Sequence, residues 1–442
     1  MAQRLVRTLS TYATIQPPMR LTHLSLTNFR NFARLETAFV DGTTVLVGAN
    51  AQGKTSLLEA IYYLTAASSP HATSDRQLIN FSILEDAAPF ARIVAEVRRG
   101  GRDEVLNDLP IPREKERPQK IEIRLILSRV GPAGEQRIRK EVLINGVKQR
   151  VRDLAGTFNA VMFLPKDMRV VEGSPSERRR FMDDALCQAD PLYANALAEY
   201  RDVLSQRNAL LKQLQERAQA EGELLFWDEK LCEHAATLMQ TRARTLHELQ
   251  KIAAPIHSDL SRGQETLRLE YLPSHDPLPR PDKQMDLPIE TSPELADIGR
   301  EKIQSSMLDA LQRKRREEIA RGNTTTGPHR DDFGFTVNGI DLRLYGSRGQ
   351  NRTAMLATQL AEVSWLQDRT GETPVLLLDE VVAELDPERR EDLLQRVEGA
   401  QQVILTAADL NMFTPTFCEQ ATIWQITDGE ISPFEEGNRD QG

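Results

Sequence analysis

Hydrophobic positions along the chain fall into successive patterns of different period. From Arg20 the pattern is strand-like: Leu21, Leu24 and Leu26, then Ala38-Phe39-Val40, then the apolar run Thr44-Val45-Leu46-Val47. Residues 91–98 alternate apolar and polar as a half-buried strand does. Residues 121–127 and 138–144 read as two more strands, the second closing on the hairpin pair Asn145-Gly146. An antiparallel β-layer is predicted, broken by an exposed loop over 100–119. Then the period lengthens. Tyr193, Leu197, Tyr200, Leu204, Leu211 and Leu214 follow alternating four- and three-residue steps with one step skipped at Arg207, and Leu224, Leu231, Ala235, Leu238, Thr245, Leu249, Ile252 and Ile256 follow the same heptad-like spacing. Two helices joined near Glu221-Gly222 are expected, either zipped antiparallel into a short coiled-coil arm or packed as a plain helical subdomain. Six prolines among polar residues over 273–293 predict a flexible linker or surface loop. A charged helix over roughly 294–321 and a strand at Phe333–Val337, turning at Asn338-Gly339, come next. The organisation expected is an extension over 1–18, a head split into 19–183 and 263–435, and a helical arm over 184–262.

Composition changes this picture little. The chain has 442 residues, 40% hydrophobic and 27% charged, enough for two or three domains with a buried core. No stretch approaches the roughly 20 apolar residues of a membrane span, so no membrane association is expected. Cys187, Cys232 and Cys418 are scattered without metal spacing, which predicts a reducing cytoplasm. Residues 1–18 carry Arg4 and Arg7, no acid and no secretory core, and read as a mobile tail preceding Met19. The net charge of −9 leaves nucleic-acid binding to local clusters. Arg178-Arg179-Arg180 and Arg313-Lys314-Arg315-Arg316 are such clusters, though a solvated helix face has the same sequence signature.

The sharpest chemistry lies in Gly48-Ala49-Asn50-Ala51-Gln52-Gly53-Lys54-Thr55, between an apolar strand and a helical run. Strand, G-x-x-x-x-G-K-T, helix is the context of a phosphate-binding loop. Its backbone N–H groups form a nest, and the helix that follows adds its positive pole. Lys54 would reach the β- and γ-phosphates of ATP, and the Thr55 hydroxyl would ligate Mg²⁺. Far downstream, Val375-Leu376-Leu377-Leu378-Asp379-Glu380 reads as a buried parallel strand ending in two carboxylates. Asp379 can hold Mg²⁺, and Glu380 can orient and deprotonate an attacking water. Between them, Ser347-Arg348-Gly349-Gln350 opens a helix as a second anion-binding N-terminus. A second cradle makes sense if it serves another subunit's nucleotide, in a head-to-tail dimer; the plainer reading is a helix N-cap at Ser347.

Together these three motifs resemble the heads of ABC-type ATPases, and more closely the SMC-like DNA-repair group. Val161 to Asp183, Gly327-Pro-His-Arg-Asp-Asp332 and Leu378 to Asp386 are similar to signatures of the RecF family, a resemblance covering residues 19 to about 430. It implies an α/β, ABC-type P-loop ATPase head with an antiparallel β-layer and an inserted helical, short coiled-coil subdomain. It also implies a weak ATPase that dimerises on ATP, clamps DNA at gaps and stalled forks, and works with RecO and RecR type mediators to load recombinase. Hydrolysis would release DNA from a cytoplasmic, nucleoid-associated dimer, and Arg178, Arg179 and Arg180 are the DNA contacts put forward. The sequence departs from the family in carrying Glu380 where many members have Asp. No histidine switch is evident near Thr406-Ala-Ala-Asp409, so the γ-phosphate sensor stays unassigned beyond Asp409. The alternatives are an ATP-binding subunit of an ABC transporter, which lacks a reason for the helical arm, and an SMC-type DNA-bridging ATPase, which needs far longer arms.

Overall fold

The computed structural model describes residues 19–99, 105–106, 109–110, 118–130, 135–216, 222–278, 292–397 and 399–434. The tail expected over 1–18, most of the loop expected over 100–119 and residues 279–291 of the Pro-rich segment lie outside them. The chain forms two compact units, one built from residues up to Leu164 and from Leu366 on, the other running from Pro165 to Trp365.

The first unit contains two six-stranded sheets. In the mostly parallel one the order is Ala160–Phe163, Val375–Asp379, Gln402–Ala407, Gly42–Val47, Thr422–Thr427, Glu430–Pro433, with only the last strand antiparallel. Its central strands are continuous apolar runs because helices and loops cover both faces, and Val375–Asp379 is buried throughout. The second sheet is antiparallel, in the order Phe32–Ala38, Arg20–Phe29, Phe90–Arg98, Gln119–Val130, Glu135–Ile144, Val147–Gln149. Alternation decides its faces: Ala91, Ile93, Ala95 and Val97 join Ile121, Ile123 and Leu125 in the core, and the intervening polar residues point outward. The helix Lys54–Ala66 is apolar nearly all round, so it is sandwiched, contributing Leu57, Leu58, Ile61, Tyr63 and Leu64 to the same core. Asn145 and Gly146 both take positive φ, 51° and 79°, the geometry of a type I′ hairpin.

The second unit is largely helical. Pro191–Glu216 and Leu224–Leu260 pack on each other as the heptad-like spacing predicts. They are not a two-helix arm standing alone: the helix Arg300–Arg321 packs on both, and the strand Leu267–Leu272 on the longer one. The boundaries expected at 183/184 and 262/263 therefore do not coincide with the compact unit. The physical reason is a buried ionic knot. Arg207, fully buried, pairs with Asp228 at 2.7 Å and Glu318 at 2.8 Å and donates to the Thr324 hydroxyl at 2.7 Å, tying three helices and the segment after them. An isolated coiled coil would have put this arginine in water.

The Pro-rich segment is anchored at its start. The Ser274 amide donates to Asp331 at 2.7 Å, and its hydroxyl donates to the Gly327 carbonyl.

Candidate functional site

The loop Gly48–Gly53 leaves the strand Gly42–Val47 and turns directly into the helix beginning at Lys54. Two of its glycines are required by space. A Cβ at Gly48 would lie 2.5 Å from the Ile426 carbonyl oxygen, and one at Gly53 would lie 2.6 Å from Asn31 Nδ2 and 2.9 Å from Phe32. Gly53 also has φ +114°, which disfavours any side chain. Ala49, Asn50 and Ala51 are exposed, with Ala51 left-handed at φ 67°. Gln52 is pinned from both sides: its carbonyl accepts from Asn31 Nδ2 at 3.1 Å and its side chain from the Asp428 amide.

Lys54 is buried, yet its ammonium donates to the carbonyls of Gly48 at 2.5 Å and Ala49 at 3.2 Å and sits 3.2 Å from Glu380. A buried cation held by loop carbonyls and one half-exposed carboxylate is a charge positioned for an anion. Thr55 Oγ1 donates to Asp379 at 2.8 Å to Oδ2, and Thr406 Oγ1 donates to Oδ1 of the same carboxylate at 2.9 Å. Burial pushes the Asp379 carboxyl above the usual range, and the two hydroxyl hydrogen bonds pull it back part of the way. A hydroxyl oxygen beside a desolvated carboxylate is the hard oxygen donor set that suits Mg²⁺, and a cation there would favour the ionised form.

Asp379 and Glu380 are neighbours in sequence, but a backbone kink separates their roles. Asp379 ends its strand, whereas Glu380 takes φ 53° and ψ 7°, uncommon for a residue with a Cβ. Its amide donates to Thr406 Oγ1 at 2.9 Å. Thr406, fully buried on the adjacent strand, thus fixes both acids at once. A cavity of about 340 Å³ opens beside them, lined by Gly53, Lys54, Thr55 and Glu380 together with Arg30, Gln77 and the exposed ring of Phe81. Sequence reading assigned Arg30, Gln77, Phe81 and Thr406 no part in this site. Asp409 is exposed and accepts from the Asn411 amide, turning its own loop.

Ser347–Gln350 lies in the second unit. Ser347 Oγ accepts from the Gln350 amide at 3.2 Å, while Gln350 Oε1 accepts from the Ser347 amide at 3.0 Å, a reciprocal cap on the helix Arg348–Thr370. The Gln350 side-chain amide also donates to Glu265 at 2.8 Å. Its side chain is thereby engaged within the unit, whereas Ser347 and Arg348 are exposed at the helix N-terminus.

Of the arginine cluster, Arg178 departs from the DNA contact expected of it. Arg178 is 2% exposed and grips Asp332 with two hydrogen bonds, 2.6 and 2.9 Å, while donating to the Gly173 carbonyl at 2.9 Å. Arg179 donates to the Asp331 carbonyl at 2.7 Å, and Arg180 lies 3.7 Å from Asp184. Arg178 therefore cannot present its charge to a DNA backbone. Pro165–Asp183 and Gly327–Asp332 turn out to be two halves of one buried network. Arg242 joins them, donating to the Pro328 carbonyl at 2.7 Å and to Asp183 at 2.8 Å. Burial also lowers His329 to about 4, leaving a neutral ring bonded to Tyr200 at 2.6 Å.

The family model for the RecF/RecN/SMC N terminal domain matches residues 20–430. The DNA replication and repair protein RecF of Chloroflexus aurantiacus is 37% identical over 422 residues, spanning 93% of this chain and 99% of that protein. The chain belongs to the RecF family. RecF of Shouchella clausii is 36% identical over 93% of the chain and 99% of its own length. Among solved structures, one titled as the recombination mediator protein RecF with ATP in the RecFOR pathway superposes with a TM-score of 0.78. It has 28% identity and covers 96% of this chain and all of that one. A second RecF structure, titled as the ATPrS complex in the same pathway, gives 0.76 at 29% identity over 95% and 99%. The fold is therefore the ABC-type ATPase head of RecF, with its antiparallel sheet and inserted helices. Among the described residues no helix is long and apolar enough to cross a membrane.

Proposed function

We propose that this RecF family member is an ATP-dependent DNA-binding protein of recombinational repair and replication-fork maintenance. The observation that carries the reading is the convergence of Lys54, Thr55 and Glu380 on one cavity, with Asp379 behind them on the Thr55 hydroxyl at 2.8 Å and Lys54 held at 3.2 Å from Glu380. Gly48–Thr55 cradles the phosphates of ATP, with the loop amides and the helix N-terminus facing them. Thr55 and Asp379 would hold Mg²⁺, which would spread the charge that develops on the phosphates. Glu380 orients a water and takes its proton; leaving Lys54 for that water as nucleotide binds frees its carboxylate. Thr406 keeps Asp379 and Glu380 on their separate tasks.

Ser347 and Arg348 of a second copy, at an exposed helix N-terminus, complete the site from the other side. ATP is then a ligand of the closed homodimer, stabilising it by differential affinity. The dimer clamps duplex DNA and gapped or single-stranded junctions, and works with RecR and RecO type mediators in loading recombinase. Slow hydrolysis at Glu380 reopens it and releases DNA. Retention of labelled DNA with and without ATP tests this reading. The unaltered protein should retain DNA only with ATP, and Lys54→Met should lose that dependence; equal retention by both proteins overturns it.

A further inference from the structure

Arg178 is buried and Arg179 half-buried, leaving Arg180 as the open member of that cluster, whereas the antiparallel sheet of the first unit offers a broader polar surface. One of its faces packs on the helix Lys54–Ala66, and the other carries polar side chains to solvent. Register arranges that outer face into rows. Thr27 pairs with Arg34 on one side and Arg92 on the other, Arg92 with Arg124, and Arg124 with Glu141. The next row holds Phe90, Ile126 and Arg139, and the one after it Ser128 and Arg137. Rows lie about 7 Å apart and strands about 4.8 Å, so the guanidinium groups form a shallow lattice.

The acids of this face are already shared. Glu122 accepts from both Arg92 at 2.7 Å and Arg124 at 2.6 Å, and is held below the usual carboxylate range chiefly by Arg92. Glu141 lies 3.2 Å from both Arg139 and Lys148, and Glu36 lies 3.8 Å from Arg34. Across these three rows and the adjacent row of Glu36, Ser25, Val94, Glu122, Leu143 and Lys148, among the described residues, six cations face three carboxylates, in a chain with 56 basic and 65 acidic residues overall. A merely solvated sheet face would follow the composition of the chain. This one reverses it, and five of its six cations are arginines, whose planar fork suits phosphate oxygens. Arg34, Lys148 and Arg139 stand well into solvent, with side chains 83%, 70% and 67% exposed.

We propose that this face, centred on Arg34, Arg92, Arg124, Arg137 and Arg139, is a phosphate-backbone contact surface for nucleic acid. It rests on the DNA-binding reading above and names the surface that carries it. It reads no sequence, since an exposed flat lattice touches phosphates rather than base edges.

The test uses the full chain with Arg34→Glu, Arg137→Glu and Arg139→Glu combined, and a milder triple change of the same residues to Gln. Affinity for a linear duplex is measured with ATP at several salt concentrations, beside affinity for fluorescent ATP and the melting temperature. Each phosphate contact contributes about 0.9 to the slope of log K against log salt. The Glu triple should lower that slope by about two to three and weaken duplex binding at least about tenfold. The Gln triple should fall between it and the unaltered protein, with ATP affinity unchanged in both. Duplex affinity and slope equal to those of the unaltered protein would overturn the surface alone. Failure of the unaltered protein to bind duplex with ATP would overturn the function reading, and this surface with it.

Discussion

At the scale of single residues, the site is legible where chemistry is local and hidden where it is not. Lys54, Thr55, Asp379 and Glu380 announce themselves because a strand, a loop and a helix must follow one another to make a phosphate nest. Thr406 gave no such signal. It acts from the neighbouring strand, 27 residues beyond Asp379, and a threonine in an apolar strand looks like any β-branched core residue. Arg30 and Gln77 reach the cavity through long-range packing for the same reason. The left-handed Glu380 is the most informative single conformation in the site. Backbone strain of this kind persists only where the surroundings impose it, and here the Thr406 hydroxyl does. Glu380→Gln keeps the shape and removes the base. It should leave ATP affinity within about twofold and slow turnover by about 10²-fold or more, as loss of a general base does. A steady-state phosphate-release assay checks this, and an unchanged rate would dismiss Glu380 from that role.

At the scale of elements, the strands near 21–26, 44–47, 91–98, 121–127, 138–144, 333–337 and 375–379, the Asn-Gly turns and the helices on either side of Glu221-Gly222 were readable from period and turn chemistry, whereas Phe32–Ala38, Ala160–Phe163, Leu267–Leu272, Gln402–Ala407 and Thr422–Thr427 were not. What those elements pack against was not. A heptad-like stripe looks the same whether it meets one helix or several, and the third helix, Arg300–Arg321, lies far along the chain. The run Arg178-Arg179-Arg180 was ambiguous in the same way, because the partner that buries Arg178 is 154 residues distant. Its new role carries a prediction. Arg178→Met leaves Asp332 without its bidentate partner inside a mostly buried network and should destabilise the protein by about 3 kcal/mol, near the low end for a broken buried pair. Thermal melting reads this directly. A melting temperature equal to that of the unaltered protein, together with weakened DNA binding, would instead return Arg178 to the DNA surface.

At the scale of the whole molecule, the proposed composite nucleotide site draws one half from each compact unit. The phosphate loop and its acids lie in the first, and the exposed cap at Ser347 and Arg348 in the second. In the proposed dimer, the halves that work together belong to different copies. Mixing two damaged chains tests this pairing. Lys54→Met spoils the phosphate loop and spares the cap; Ser347→Arg does the reverse. Neither alone has an intact composite site, but a mixed dimer has one, from the loop of the Ser347→Arg chain and the cap of the Lys54→Met chain. Sedimentation with ATP should find each variant monomeric alone and a dimer fraction when they are mixed. Two folded variants that stay monomeric on mixing, while the unaltered protein dimerises on ATP, would contradict the account.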